Sequence, residues 1–197
     1  MINTLFFGSP QYVTPLLQVL IDDPEITVTA VITQPDRPIG RKKIPTPTPV
    51  KQLAQTYHLP VLTPKEFDDK FYWELEQINS KLETRNSKLD LAILAAYGAI
   101  LPHRLLTLPQ SGFINIHPSL LPQYRGAAPT IPPILKGETA TGVTYMLMDE
   151  ALDHGPILAQ FKDQVQPDDN HDTLATRLFQ RATAHLPRII KKYLEYQ

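Results

Sequence analysis

The chain has 197 residues, 42% of them hydrophobic, which is enough apolar material for one domain with its own core. Its formal net charge of −1 sets up no global field for nucleic acid, so any such binding has to come from a local patch. The absence of cysteine excludes disulfides, a thiolate nucleophile and a Cys-built zinc site, and fits a reducing cytosol.

The opening MINTLFFGSP has no basic start and too short an apolar run for a signal peptide. No stretch approaches the roughly 20 apolar residues of a membrane span, so a cytoplasmic protein without a membrane partner is expected. Thr4 to Phe7 is a short apolar strand, and Gly8-Ser9-Pro10 turns into a helix with Val13, Leu16, Leu17 and Leu20 at helical spacing. Ile26 to Thr33 alternates and is β-branched, a second strand. Strand, helix and strand in this order point to a parallel sheet with crossover helices.

Gln34 to Pro49 reads as a long loop with five prolines and four cations, Arg37, Arg41, Lys42 and Lys43. Val50 to His58 is a short helix, Pro60 to Leu62 a short strand, Phe67 to Leu82 a helix, and Glu83 to Lys88 a polar connector. Leu89 to Ala96 is the most continuously apolar run and fits a central strand covered on both faces. Phe113 to His117 follows as a strand, then a short proline-interrupted helix in Ala128 to Leu135. Gly142 to Met148 and Ile157 to Gln164 are later strands. Asp172 to Tyr196 closes as one helix kinked at Pro187. The expected fold is α/β, an open, mostly parallel twisted sheet with helices on both faces. Its ligand site belongs at strand carboxyl ends where the winding reverses.

Asn115 and His117 stand two residues apart on a strand, so their side chains leave the same face. An unpaired buried amide or imidazole costs roughly 1–3 kcal/mol, so the pair implies either satisfied core groups or a reactive patch. Asp149 to Gly155, DEALDHG, lies at the carboxyl end of the strand before it, which brings it to the edge where Asn115 and His117 also end. Read alone it is a solvated acidic turn or a carboxylate source for His117. His103, His117 and His154 have no spacing such as HExxH, and Gly8 stands without GxGxxG or GxxxxGK[ST], so neither a metal site nor a nucleotide cradle is expected. The four cations in the proline-rich loop form a candidate polyanion contact.

In chain order the sequence carries FFGSP at Phe6, TQPDRPIGR at Thr33, TPVK at Thr48 and AAYGAILP at Ala95. Asn-x-His-x-Ser-Leu-Leu-Pro from Asn115, RGAAP at Arg125 and LDHG at Leu152 follow. With these motifs the chain resembles the formyltransferases that use 10-formyltetrahydrofolate, and TQPDRPIGR resembles the branch acting on methionyl-tRNA. The resemblance implies a Rossmann-like fold, a catalytic triad at Asn115, His117 and Asp153, and direct transfer of the formyl group to a primary amine. It places Ser119, Leu120, Leu121 and Pro122 against the folate. Tyr97, Ile100, Leu101 and the loop from Asp149 through Leu152 to Asp153 would wall the pterin pocket. Arg37, Arg41, Lys42 and Lys43 become candidate contacts to initiator methionyl-tRNA.

The sequence departs from that branch at several places: Pro118 stands where glycine is common, His154 where threonine is usual, the basic loop is one residue shorter after Arg41, and TIPPILKG puts prolines where a regular helix is typical. The chain ends where the family's catalytic domain ends, so the expectation is a single domain over residues 1–197 without the family's C-terminal β-barrel. Pro118 and the absent barrel leave an amino-sugar nucleotide formyltransferase open, and a folate- or RNA-binding module without catalysis is the reading from another class.

Overall fold

Two apolar segments begin the sheet. In the computed structural model, which describes residues 1–83 and 88–196, β1 (Ile2–Gly8) and β2 (Ile26–Ile32) pair in parallel. The crossover between them is α1 (Thr14–Asp22), entered with Pro15 in its first turn, where the missing N–H costs nothing. The other strands of this sheet are β5 (Val61–Leu62), β6 (Leu91–Ala95), β7 (Phe113–His117), β8 (Ala140–Leu147) and β9 (Ile157–Gln164). They form one seven-stranded sheet in the order β5-β2-β1-β6-β7-β8-β9. All neighbours run parallel as far as β7, and β8 and β9 close the edge antiparallel. The winding reverses between β1 and β6.

Each sheet face has its own apolar layer. On one face, Leu16, Leu17 and Leu20 of α1 meet Phe179 of α6 (His171–Thr183) and Leu186 and Ile190 of α7 (Leu186–Glu195), over Ile114 and Ile116 of β7. On the other, Phe71 and Leu75 of α3 (Asp69–Glu83) pack with Tyr97 and Leu105 over Leu5, Phe7 and Phe113. Each fully buried leucine or phenylalanine contributes about 1.5–3 kcal/mol. Strand alternation therefore puts Asn115 and His117 on the second face, in line with Phe113.

The fold departs from the sequence expectation in three places. The proline-rich basic segment is a hairpin, not a loop: β3 (Arg37–Ile39) pairs antiparallel with β4 (Ile44–Thr46). Pro38 and Pro45 stand opposite each other, and a two-stranded ribbon tolerates them because each strand has a free side needing no donor. The terminal helix is broken rather than kinked, because Pro187 sits in the first turn of α7 and starts a new helix. Finally, α4 (His103–Leu106) is too short to carry a periodic signal. The helices α2 (Pro49–Thr56) and α5 (Ile131–Leu135) lie where expected, whereas residues 84–87 of the expected polar connector lie outside the described residues. Among the described residues no helix is long and apolar enough to cross a membrane.

Candidate active site

Strand β7 ends at a proline. FINIH pairs with β8 so that Asn115 faces Met146 and His117 faces Thr144. Pro118 has no N–H to extend the ladder, and the chain turns at once, the Ser119 amide bonding the His117 carbonyl at 2.9 Å. The following segment lies back across β8 and β9. The Thr144 hydroxyl donates to the Ser119 carbonyl at 2.7 Å and accepts from the Leu121 amide at 3.1 Å and from Gln160 Nε2 at 2.9 Å. That uses the hydroxyl's one donor and both acceptor sites. Gln160 Nε2 also reaches the Leu121 carbonyl at 2.8 Å. Gly142 makes room for this layer, since a Cβ there would lie 2.5 Å from Leu120 Cδ2.

Asp153 arrives from the wrong edge. Because β8 runs antiparallel to β7, the loop after Leu147 leaves beside Ile114, not beside His117. The expectation that Asp153 simply shares a carboxyl edge with Asn115 and His117 is corrected accordingly: the loop folds back over the face of β7. Asp149 ties the fold-back, accepting from the Ala151 amide at 2.9 Å and pairing with His154 Nδ1 at 2.8 Å. The hydrogen bond from His154 holds the Asp149 carboxyl below its usual range. Gly155 lets the loop close against β8, for a Cβ there would lie 2.0 Å from the Leu147 carbonyl oxygen. Asp153 itself takes a left-handed backbone, φ 47°, which aspartate tolerates better than most residues.

The three side chains converge out of water: Asn115, His117 and Asp153 retain 7%, 4% and 9% exposure. Asp153 Oδ1 accepts from Asn115 Nδ2 at 3.1 Å and stands 3.5 Å from His117 Nδ1, while Oδ2 accepts from the Gly126 amide at 2.8 Å. On the far side of the ring, His117 Nε2 lies 2.9 Å from the Tyr124 carbonyl. An amide donor, an imidazole and a carboxylate thus share one buried point. Such a set can stabilise charge on an oxygen and move a proton.

The other expected residues divide. Tyr97 and Leu101 are core residues; Tyr97 packs edge-on against Phe7, and burial pushes its phenol up to about 12. Ile100 and Leu152 are 85% and 65% exposed, on segments joined by the contact of His103 Nδ1 with Glu150 Oε1 at 2.8 Å. Ser119 is fully buried and donates to the Gln123 carbonyl at 2.6 Å; Leu121 is buried, Leu120 half-buried and Pro122 exposed. Arg37, Arg41, Lys42 and Lys43 are exposed on the hairpin. Its root is held by Ser9, whose hydroxyl accepts from the Gln34 amide at 3.2 Å, and by a Thr33–Thr48 hydroxyl contact at 2.7 Å. β2 and β7 lie three strand spacings apart, so the hairpin root stands about 14 Å along the sheet from the triad. Two surface cavities lie elsewhere, one of 430 Å³ beside Arg188 and Lys192 and one of 850 Å³ between Tyr12 and Asp172.

Sequence reasoning gave no role to Thr144, Gln160, Tyr124 or Gly126 individually, the last two being read only as part of a rigid loop and of the RGAAP motif. Thr144 had a signal, a polar residue inside an apolar strand. Tyr124 and Gly126 act through backbone atoms, which residue identity does not announce.

Residues 2–190 match the family described as formyl transferase. Methionyl-tRNA formyltransferase of Halalkalibacterium halodurans is 44% identical over 186 residues, covering 94% of this chain and 56% of that protein. The enzyme of that name from Syntrophus aciditrophicus is 45% identical over 178 residues, with 90% and 54% covered. The chain therefore spans about half the length of the curated relatives it matches. Among solved structures, phosphoribosylglycinamide formyltransferase from Bacillus halodurans superimposes with a TM-score of 0.73 at 25% identity, covering 98% of this chain and 95% of that one. Glycinamide ribonucleotide transformylase 1 from Geobacillus kaustophilus gives 0.72 at 27% identity, with 96% of each chain covered.

Proposed function

The chain belongs to the formyl transferase family, and from that premise we propose that it transfers a formyl group from 10-formyltetrahydrofolate to the amino group of methionyl initiator tRNA. The observation that carries the reading is the buried meeting of Asn115, His117 and Asp153 from two distant segments. Relatives at 44–45% identity are methionyl-tRNA formyltransferases, whereas the solved structures at 25–27% act, by their names, on a glycinamide ribonucleotide. The exposed cations Arg37, Arg41, Lys42 and Lys43 give a chain of net charge −1 a local cationic patch suited to phosphate.

The residues present suit the folate. Ile100 and Leu152 expose apolar side chains on two segments joined through His103 and Glu150, and Leu152 adjoins the buried, polar Asp153, a combination suited to a flat ring carrying hydrogen-bonding groups. Ser119 to Pro122 and the loop from Asp149 to Asp153 would hold it, and when bound it supplies the activated formyl carbon. The amine nitrogen forms the new C–N bond as the bond from that carbon to N10 breaks, and the amine proton ends on the departing nitrogen. An amide has two N–H donors, and the bond to Asp153 uses one of Asn115's, leaving the other for the formyl oxygen. Each such donor contributes roughly 3–4 kcal/mol to the barrier reduction. His117 takes the amine proton on the ring nitrogen beside Asp153 and, so charged, adds a second donor before passing that proton on.

The test offers purified protein and 10-formyltetrahydrofolate with charged initiator tRNA, glycinamide ribonucleotide and an amino-sugar nucleotide side by side. Turnover of the charged tRNA is expected; turnover of another acceptor alone overturns the assignment.

A further inference from the structure

We infer that Tyr124 and Glu138 are positioning residues that hold His117 by its Nε2 atom and leave Nδ1 as the nitrogen that works, with Asp153, on the reacting centre. The inference deepens the transfer reaction proposed above and rests on it.

A peptide carbonyl only accepts hydrogen bonds, so the 2.9 Å contact between Tyr124 O and His117 Nε2 requires the proton on Nε2. Turning the ring over would set carbon against both the carbonyl and Asp153. Nε2 is therefore committed to the protein. Nδ1 stands 3.5 Å from Asp153 Oδ1, beyond a formed hydrogen bond, so among the described residues that nitrogen is not committed to a hydrogen bond.

The carbonyl is aimed with care. Tyr124 has φ 57°, a left-handed backbone that a bulky aromatic residue rarely adopts, and strain of this kind persists only where neighbours impose it. Its neighbours in the loop are tied on both sides, Gln123 through its carbonyl to Ser119 Oγ at 2.6 Å and Gly126 through its amide to Asp153 Oδ2 at 2.8 Å. The Tyr124 side chain is then fastened outside the loop. Its hydroxyl donates to Glu138 Oε1 and accepts from Lys136 Nζ at 3.3 Å, and the same ammonium lies 4.9 Å from the ring centre. Glu138 is fixed in turn by its amide bond to the Pro133 carbonyl at 2.9 Å, at the exit of α5. A partly exposed hydroxyl–carboxylate contact adds little to global stability. Its placement is nonetheless specific: it determines where one carbonyl oxygen stands, and that oxygen determines which nitrogen of His117 is free.

The test compares Tyr124→Phe, Glu138→Ala and Glu138→Gln with the parent, by ring-nitrogen NMR of the ligand-free protein and by steady-state transfer. The parent is expected to carry a protonated, hydrogen-bonded Nε2. Tyr124→Phe and Glu138→Ala should each give a mixed ring signal and lower kcat roughly tenfold, with KM for the formyl donor within about twofold and the melting temperature nearly unchanged. The pair together should do no more than either alone, since both break one clamp. Glu138→Gln keeps an acceptor oxygen and should keep the parent's spectrum and rate. An unprotonated Nε2 in the parent, or unaltered spectra and kcat in the first two variants, overturns the inference. Should the parent turn over no acceptor at all, the transfer reading falls, while the NMR arm still decides the clamp.

Discussion

Replacing Asp153 with asparagine changes almost nothing in shape and inverts the hydrogen-bond pattern. The new side chain can keep the Gly126 amide bond by turning its oxygen to the place of Oδ2. Its NH₂ then stands where Oδ1 was, 3.1 Å from Asn115 Nδ2 and 3.5 Å from His117 Nδ1. Two donors cannot share that gap. The least costly repair is for Asn115 to turn its amide over, presenting oxygen to residue 153 and taking its NH₂ away from the formyl oxygen. One donor to the developing charge is lost, which corresponds to about 3–4 kcal/mol, or roughly 100- to 1,000-fold in kcat. The fold loses little, about 1 kcal/mol, because the Gly126 bond and a bond between residues 115 and 153 are both kept. Single-turnover transfer at saturating donor and acceptor reads the rate, and thermal unfolding reads the stability. A kcat within a fewfold of the parent, or a loss explained by unfolding alone, would refute the reasoning.

Gly155→Ala should be nearly as damaging to activity as Asp153→Asn, because a Cβ 2.0 Å from the Leu147 oxygen forces the loop and Asp153 to lift. A stability loss of about 1–3 kcal/mol accompanies it, measured by denaturant unfolding beside the rate. Away from the site, the Arg177 hydrogen bond holds Asp169 at about 2 against its usual 3.8. A depressed carboxylate contributes stability that is complete above about 3.8 and lost as the pH falls towards 2, so Asp169→Asn should flatten that part of an acid-unfolding curve. At neutral pH the variant should cost roughly 1–2 kcal/mol, reduced by screening because Arg177 is a third exposed. Removing Arg41, Lys42 and Lys43 together should raise KM for charged tRNA and lower the salt slope of binding by about 0.7–0.9 for each phosphate no longer neutralised; an unaltered slope would place the tRNA elsewhere.

Much of this site was legible in one strand. In FINIH the apolar residues at 114 and 116 and the polar ones at 115 and 117 alternate, and the structure sends them to opposite faces as the period of two requires. What could not be read is non-local. The antiparallel direction of β8 decides that Asp153 reaches the triad by folding back, and a strand's direction is not written in its own residues. Tyr124 and Gly126 contribute a carbonyl and an amide that any residue would carry. The prolines misled twice for one reason. Pro38 and Pro45 looked like loop residues and Pro187 like a kink within one helix, yet each sits where its missing N–H has no partner to lose, on a ribbon's outer side or in a helix's first turn.

His117 carries most of the proposed mechanism, whose most direct test is the rate at which His117→Ala, checked for intact folding and donor binding, transfers the formyl group to charged initiator tRNA in a single turnover. A fall of at least about 100-fold is predicted, the size expected for losing a charge-stabilising donor and proton relay together. A rate within a fewfold of the parent would contradict it.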